Sequence, residues 1–310
     1  MAIKHFILSG IGYAPVSFFI TDGLGTYSSG PIVTNIGIIF THDDYTFQIQ
    51  QAVTPYKTTI ALPIDWQKSS NNLYYGFDHG SGYDVRFCDC KFIMTAAQGS
   101  DFVDFFSDNK KGRGKKITMT LVNESGFFPF GPDKGDKGIF TVYLEIQNHK
   151  IIHDVYLYYE VNCRIHNCGS YPVYTMPDQV DDSNNLFQIG PVSKLRFPPE
   201  LFEPDTEYNQ FAQIMEGGDA QIIDRQYGDQ FESTLMLHCN ESKAAALIYY
   251  LTTSARANQF SIISDSNFYI FGMDKGSSGT YNVKMINDKI EITHVNYNYF
   301  TFGLRLQNVG

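Results

Sequence analysis

The sequence predicts a mainly β protein of the α+β kind, built as two repeated β-sandwich or barrel-like domains with one flanking helix in each. Three observations predict it. Strand formers are abundant: 21 Tyr and 25 Phe stand against one Trp, and the 43% apolar fraction is enough to bury a core in 310 residues. Short runs alternate apolar and polar residues along much of the chain. A distinctive block also recurs. "FFPFGPDKGDKGIFTV" (Phe127–Val142) returns 141 residues later as "FYIFGMDKGSSGTYNV" (Phe268–Val283).

The repeat extends in both directions. "NHKIIHDVYLYYEV" (Asn148–Val161) faces "NDKIEITHVNYNYF" (Asn287–Phe300), "SDFVDFFSDNKK" (Ser100–Lys111) faces "SKAAALIYYLTT" (Ser242–Thr253), and "FQI" occurs at Phe47–Ile49 and Phe187–Ile189. Colinear blocks of this kind imply an internal duplication. We place a first repeat at 1–165, a linker at 166–185 and a second repeat at 186–310. The linker is assigned because its residues lack periodicity and are rich in turn formers.

The elements follow in chain order. The N-terminal "MAIKHFILSGIGYAPVSFFITD" is apolar but interrupted by glycines, Tyr13 and Pro15. It reads as two strands around a turn, and neither as a signal peptide nor as a membrane span. "RFCDCKFIM" and "FESTLMLHC" are long strands that precede a helix, and "ITMTL" and "FSIIS" are short strands that follow it. In the first helix Ser100 is the expected N-cap, with Asp101 favourable in the first turn. Phe102, Phe105 and Phe106 form its apolar stripe, matched by Ala244, Leu247, Ile248 and Leu251 in the second. After each glycine turn, Phe140, Val142, Leu144 and Ile146, or Tyr281, Val283 and Met285, alternate as a half-buried strand. "QNHK" and "INDK" then predict a second turn. It leads into a strand carrying Val155, Leu157, Tyr159 and Val161, so that the two strands form an antiparallel hairpin. "RFPPELFEPD" (Arg196–Asp205) reads as a Pro-rich covering loop inside its own domain, with a partner contact as the alternative.

The recurring loop is glycine-rich, yet no phosphate or metal site follows from it. The second copy keeps Gly272, Asp274, Lys275, Gly276 and Gly279 against Gly131, Asp133, Lys134, Gly135 and Gly138, but has Ser277 and Ser278 for Asp136 and Lys137. A metal loop is expected to keep its carboxylates. A Walker loop needs a Gly-Lys-Ser/Thr ending that opens a helix, and here a strand follows. What persists is turn chemistry: glycines for positive φ and an Asp for local backbone hydrogen bonds.

Composition excludes other classes. The net charge of −10 opposes nucleic acid as the main partner, and the one basic cluster, "KKGRGKK" (Lys110–Lys116), reads as a solvated helix end. Five cysteines, an odd number, suggest reduced thiols. Cys88, Cys90, Cys163, Cys168 and Cys239, with His166 and His238, do not have the spacing of a common zinc module. No nucleophile elbow, zincin helix or dinucleotide fingerprint is present. His153 and Asp154, adjacent on a strand, point to opposite faces, with His153 expected at a solvated strand edge and His294 in a nearby place in the second copy. A carboxylate pair of the glycosidase kind leaves no local signature. The expectation is a protein that is not an enzyme and carries no cofactor and no metal.

Two longer segments carry a resemblance. They are "FDHGSGYDVRFCDCKFIMTAAQGSDFVDFFSDNKKGRGKKITMTL" (Phe77–Leu121) and "GGDAQIIDRQYGDQFESTLMLHCNESKAAALIYYLTTSARANQFSII" (Gly217–Ile263). In each, a Gly-containing turn leads through a long strand and a helix to antiparallel strands. The order resembles the tail-tip and distal-tail proteins of tailed bacteriophages and the tail-tube-like domains of their baseplate hubs. It covers Phe77–Leu144 and Gly217–Val283. The pattern appears twice here, whereas distal-tail proteins usually have it once. The resemblance implies a ring-forming homo-oligomer, a trimer or hexamer, that docks tail-tube, hub and other baseplate proteins. It also implies DNA passage without specific binding, no membrane insertion, and a place in the virion tail after assembly in the host cytoplasm. The alternative is a carbohydrate-binding or host-receptor-binding β-sandwich.

Overall fold

The structure is a computed structural model. It describes residues 7–8, 16–17, 37–49, 52–69, 73–80, 85–107, 111–122, 126–153, 157–179, 187–192, 195, 202–207, 210–214, 220–224, 230–264, 269–296 and 299–310. The fold is mainly β and sandwich-like. In chain order it runs β1 (Ile7–Leu8), β2 (Val16–Ser17), β3 (Gly37–His42), β4 (Tyr45–Ile49), β5 (Ala52–Ala61), β6 (Ile64–Lys68), β7 (Tyr74–Asp78), β8 (Val85–Thr95), α1 (Ala96–Ser107), β9 (Ile117–Val122), β10 (Gly138–His153) and β11 (Leu157–Asn167). Then come β12 (Phe187–Ile189), β13 (Phe202–Glu207), β14 (Gln210–Ile214), β15 (Ala220–Asp224), β16 (Gln230–Asn240), α2 (Glu241–Thr253), β17 (Gln259–Ser264), β18 (Gly279–Met285), β19 (Lys289–Asn296) and β20 (Tyr299–Asn308).

Fourteen strands share one antiparallel sheet. In the first half the pairing order is β5-β8-β11-β10-β9-β3. In the second it is β13-β16-β20-β18-β17-β12, the same order read through the chain. Each half has its own apolar core. One is built from Phe40, Phe92, Phe102, Phe140 and Ile165 among others, the other from Leu235, Leu247, Phe271, Phe302 and Leu304. Ile60, Leu62, Ile64 and Phe128 cross over from the first half into the second core.

Strand periodicity explains which side chains enter. Along β8, Arg86, Cys88, Cys90, Phe92 and Met94 are buried, and along β9 Ile117, Met119 and Leu121 are. The N-terminal strands β1 and β2 pair antiparallel, as the sequence predicts, with Leu8 opposite Val16.

Several local expectations need correction. Helix α1 begins at Ala96, so Ser100 lies inside it. The cap is Thr95, whose hydroxyl accepts from the Gln98 backbone N–H while the Gln98 side chain accepts from Thr95 N–H. This reciprocal capping box satisfies donors that an N-terminus otherwise leaves open. The helix stripe holds: Phe102 and Phe105 are buried and Phe106 packs beside them. Helix α2 is capped by Asn240, which accepts from Lys243 N–H.

"QNHK" is not a turn. Strand β10 runs through it with a bulge between Ile146 and Asn148, because the partner β11 is long enough to pair on both sides. "INDK" does interrupt the chain, but β18 and β19 do not pair with each other: β18 lies beside β17 and β20, and β19 beside β20 and β5. The two "FQI" triplets occupy different places. The first is in β4 and pairs with β3, whereas the second is β12 and pairs with β17, the strand that follows the helix. The last residues of "RFPPELFEPD" belong to strand β13 rather than to a loop. His166 and Asn167, at the start of the expected linker, end β11.

Candidate functional site

The recurring turns take unlike roles, and the first of them lies where the two halves meet. In both copies a short 3-10 turn, Pro132–Lys134 or Met273–Lys275, is flanked by glycines in the left-handed region: Gly131 at φ 100, Gly135 at 76 and Gly138 at 120, against Gly272 at 84, Gly276 at 80 and Gly279 at 136. At Gly135 the need is doubled, since an added Cβ would sit 2.4 Å from the Tyr174 ring.

Asp133 does not serve as a local turn acceptor. Its side chain is fully buried and accepts from Arg86 Nη1 at 2.7 Å, and Arg86 also donates to the Phe130 carbonyl at 2.8 Å. Lys134 Nζ lies 3.3 Å from the other Asp133 oxygen and 4.8 Å from the centre of the Tyr171 ring. Tyr174 donates to Glu241 Oε1 at 2.9 Å, so a residue from the expected linker reaches the first turn of α2. Burial, then the Glu241 hydrogen bond and charge, push the Tyr174 hydroxyl well above its ordinary range.

In the second copy the place of Arg86 on the strand before the helix is taken by Phe231, and Lys275 lies over its ring at 4.2 Å. A cation–aromatic contact stands where the first half has an ion pair. Tyr281 donates to the Gly276 carbonyl at 3.0 Å, and an added Cβ at Gly276 or Gly279 would meet open space. The Asp274 side chain lies outside the described residues.

Around the first turn the halves are joined in three further ways. Strand β5 pairs with β19, with Ile60 opposite Ile290 and Lys57 opposite Thr293. Tyr56, Phe128, His294 and Phe300 form an aromatic cluster across that pairing, with ring centres 4.6 Å apart for Tyr56–His294 and 5.2 Å for Phe128–Phe300. His294 is therefore buried at the junction and not at a solvated edge; the His153 side chain and Asp154 lie outside the described residues. Finally the β6–β7 hairpin reaches from the first half onto the second. Trp66 donates to the Asn287 carbonyl at 3.3 Å, Tyr74 N–H donates to Gln307 at 3.0 Å, and the buried Arg256 pairs with Asp78 at 2.7 Å.

The solvated face of the sheet carries charge in an ordered row. Register places His238, Thr301, Thr293, Lys57, Asp89, Arg164 and Glu145 opposite one another across six consecutive pairings. Arg164 bridges Asp89 at 2.7 Å, and Lys57 bridges Glu291 at 2.5 Å. The cysteines form no ligand cluster: Cys90 and Cys163 face each other at 3.6 Å in the core, and among the described residues no group of three or more His, Cys, Asp or Glu is placed to hold a metal.

The arrangement can fix two strand-rich bodies side by side. Sequence reasoning missed Arg86 and Tyr171, which anchor the first turn, and Tyr174 and Glu241, whose contact spans the halves. One signal was available for Arg86: it occupies an inward position in an alternating strand, and a buried cation requires a partner. No protein-family model matches this chain, and no curated protein matches it.

Proposed function

We propose that this chain is a structural component of a phage tail tip or baseplate, or of a related injection device, in which two repeated modules per chain build a ring and no catalysis occurs. The observation that carries this is the β5–β19 pairing. It joins two halves of like strand order edge to edge, using a different edge on each side. A join of that heterologous kind propagates in one direction and closes if its rotation permits. The charged row on the open sheet face supports the same reading. Its cations are paired with carboxylates, Arg164 with Asp89 in the row and Lys57 with Glu291 beside it, so the face offers little net attraction to a phosphate backbone passing it. Tail-tube, hub and other baseplate proteins are the implied neighbours, and the virion tail the implied location.

Single-particle electron microscopy of the purified protein tests this. Closed rings with a central hole and three- or sixfold symmetry are the expected result. Single globules at every concentration, alone and with a tail-tube partner, overturn it.

One observation favours a second reading, a glycan- or receptor-binding protein. Tyr75 and Phe77 stand 48% and 57% exposed on one face of β7, with Asp65 opposite Phe77. Aromatic faces beside a carboxylate suit sugar rings, and binding on a glycan array that is lost in Phe77→Ala would bring this reading forward.

A further inference from the structure

We infer that a second copy of this chain docks on the first half by repeating, between chains, the junction that joins the two halves within the chain. The inference rests on the repeat reading above and adds the surfaces and register. Strands β5 and β13 are counterparts, because each pairs with the strand that leads into the helix, β8 or β16. Strand β19 and the end of β10 are counterparts, because each pairs with the last strand of its half, β20 or β11. Inside the chain β5 takes β19. Among the described residues, β13 pairs only with β16, and β10 from Asn148 onward pairs only with β11. The two edges left over are thus the two kinds of edge that already fit each other.

The exposure pattern supports this. In β19, Ile290, Ile292 and His294 are almost fully buried. The matching stretch of β10 is exposed from Gln147 to Ile151, with Ile151 58% exposed. An apolar residue on an open strand edge is a site for pairing. Carrying the internal register over gives complementary partners. Lys57 opposite Thr293 becomes Glu203 opposite Lys150. Tyr56 opposite His294 becomes Phe202 opposite Ile151. One pair is oppositely charged and the other apolar, both favourable across antiparallel strands. A third element agrees. The β6–β7 hairpin clasps the second half, and its counterpart, the β14–β15 hairpin, pairs only with itself among the described residues. Pro204 in β13 has no N–H to donate, which makes this pairing weaker than β5–β19 and suits assembly that depends on concentration.

The test uses the full chain with Cys168→Ser, carrying Phe202→Cys and Ile151→Cys. Mild oxidation is expected to give covalent multimers on a non-reducing gel. Phe202→Cys with Tyr143→Cys, which the register keeps apart, should give none. Lys57→Cys with Thr293→Cys should oxidise within one chain and reports that the junction is intact. In parallel, Glu203→Lys should weaken self-association roughly tenfold, with Lys150→Glu restoring it in the double variant. The single change is made at Glu203 because Lys150 also bridges Glu160 within its own chain at 3.0 Å. Rings in the microscope without the Phe202–Ile151 cross-link and without charge-swap rescue overturn this interface and leave the ring reading standing. A chain that is monomeric throughout, alone and with a tail-tube partner, while the Lys57–Thr293 control still oxidises, overturns both.

Discussion

Arg86 and Asp133 meet at 2.7 Å with side chains only 2% and 0% exposed, joining the long strand before α1 to the glycine turn. Removing Asp133 takes the carboxylate from the buried Arg86, and removing Arg86 leaves Asp133 to Lys134. Breaking a buried pair costs ~3–5 kcal/mol, whereas replacing both by apolar groups is often near neutral. Arg86→Met and Asp133→Leu should each lower the urea midpoint steeply. The double variant should recover most of the loss. Two single effects that simply add would show that the residues do not act as a pair.

The two glycine turns share backbone shape but differ in surroundings, and this separates strain from crowding. Gly276→Ala meets only the backbone strain of φ 80 with ψ 174, which costs ~1–3 kcal/mol. Gly135→Ala meets the same strain and also the Tyr174 ring. Its loss of stability in thermal unfolding should be the larger. Equal losses would mean that Tyr174 moves aside freely.

Tyr174→Phe removes the hydrogen bond to Glu241 and keeps the ring against Gly135. About 1 kcal/mol of stability should be lost, the usual net worth of such a bond. Hydrogen exchange should rise in the first turn of α2 before it rises in α1. Unchanged exchange at Glu241–Ala244 would remove Tyr174 as a link between the halves.

Four of the five cysteines are buried, and Cys168 alone is half-exposed. Burial pushes the Cys239 thiol up to about 12 and raises Cys90 as well. A colorimetric thiol reagent at neutral pH should therefore find one slow group in the folded protein and all five in denaturant. Rapid labelling of a second thiol would contradict the packing of β8 against β11.

Much of this fold was legible because it rests on local periodicity. The inward residues of β8 and β16, the apolar stripes of α1 and α2, and the positive-φ glycines all follow from spacing two, spacing three to four, and the absence of a Cβ. What was not legible depends on distant partners. "QNHK" contains good turn formers, yet it is held straight by β11, and a bulge absorbs the misfit. Ser100 is a good cap in isolation, but Thr95 with Gln98 makes two reciprocal bonds one turn earlier. The site was half visible: the turn was found, and its anchors on β8, on the segment after β11 and on α2 were not, since nothing local ties Tyr174 to Glu241.

The junction should also respond to acid in a defined direction. Lys289 and then Lys57 donate to Glu291, on strands β19 and β5, and hold its carboxyl below the ordinary value. A carboxylate whose folded value is depressed contributes stability that is complete above its unfolded value, ~4.3, and is lost as pH falls through the folded value. Both partners of the Lys57 bridge are more than a third exposed, so solvent screening holds this contribution to ~0.2–1 kcal/mol. The midpoints of the wild type and Glu291→Gln should accordingly stay a constant distance apart from pH 7 to 5 and converge below about pH 4. Added salt should narrow the gap, because an exposed pair is screened. Curves that stay parallel into acid would show that the Lys57–Glu291 bridge adds nothing to the join, and would leave the strand pairing, the aromatic cluster of Tyr56, Phe128, His294 and Phe300 and the β6–β7 hairpin to hold the halves.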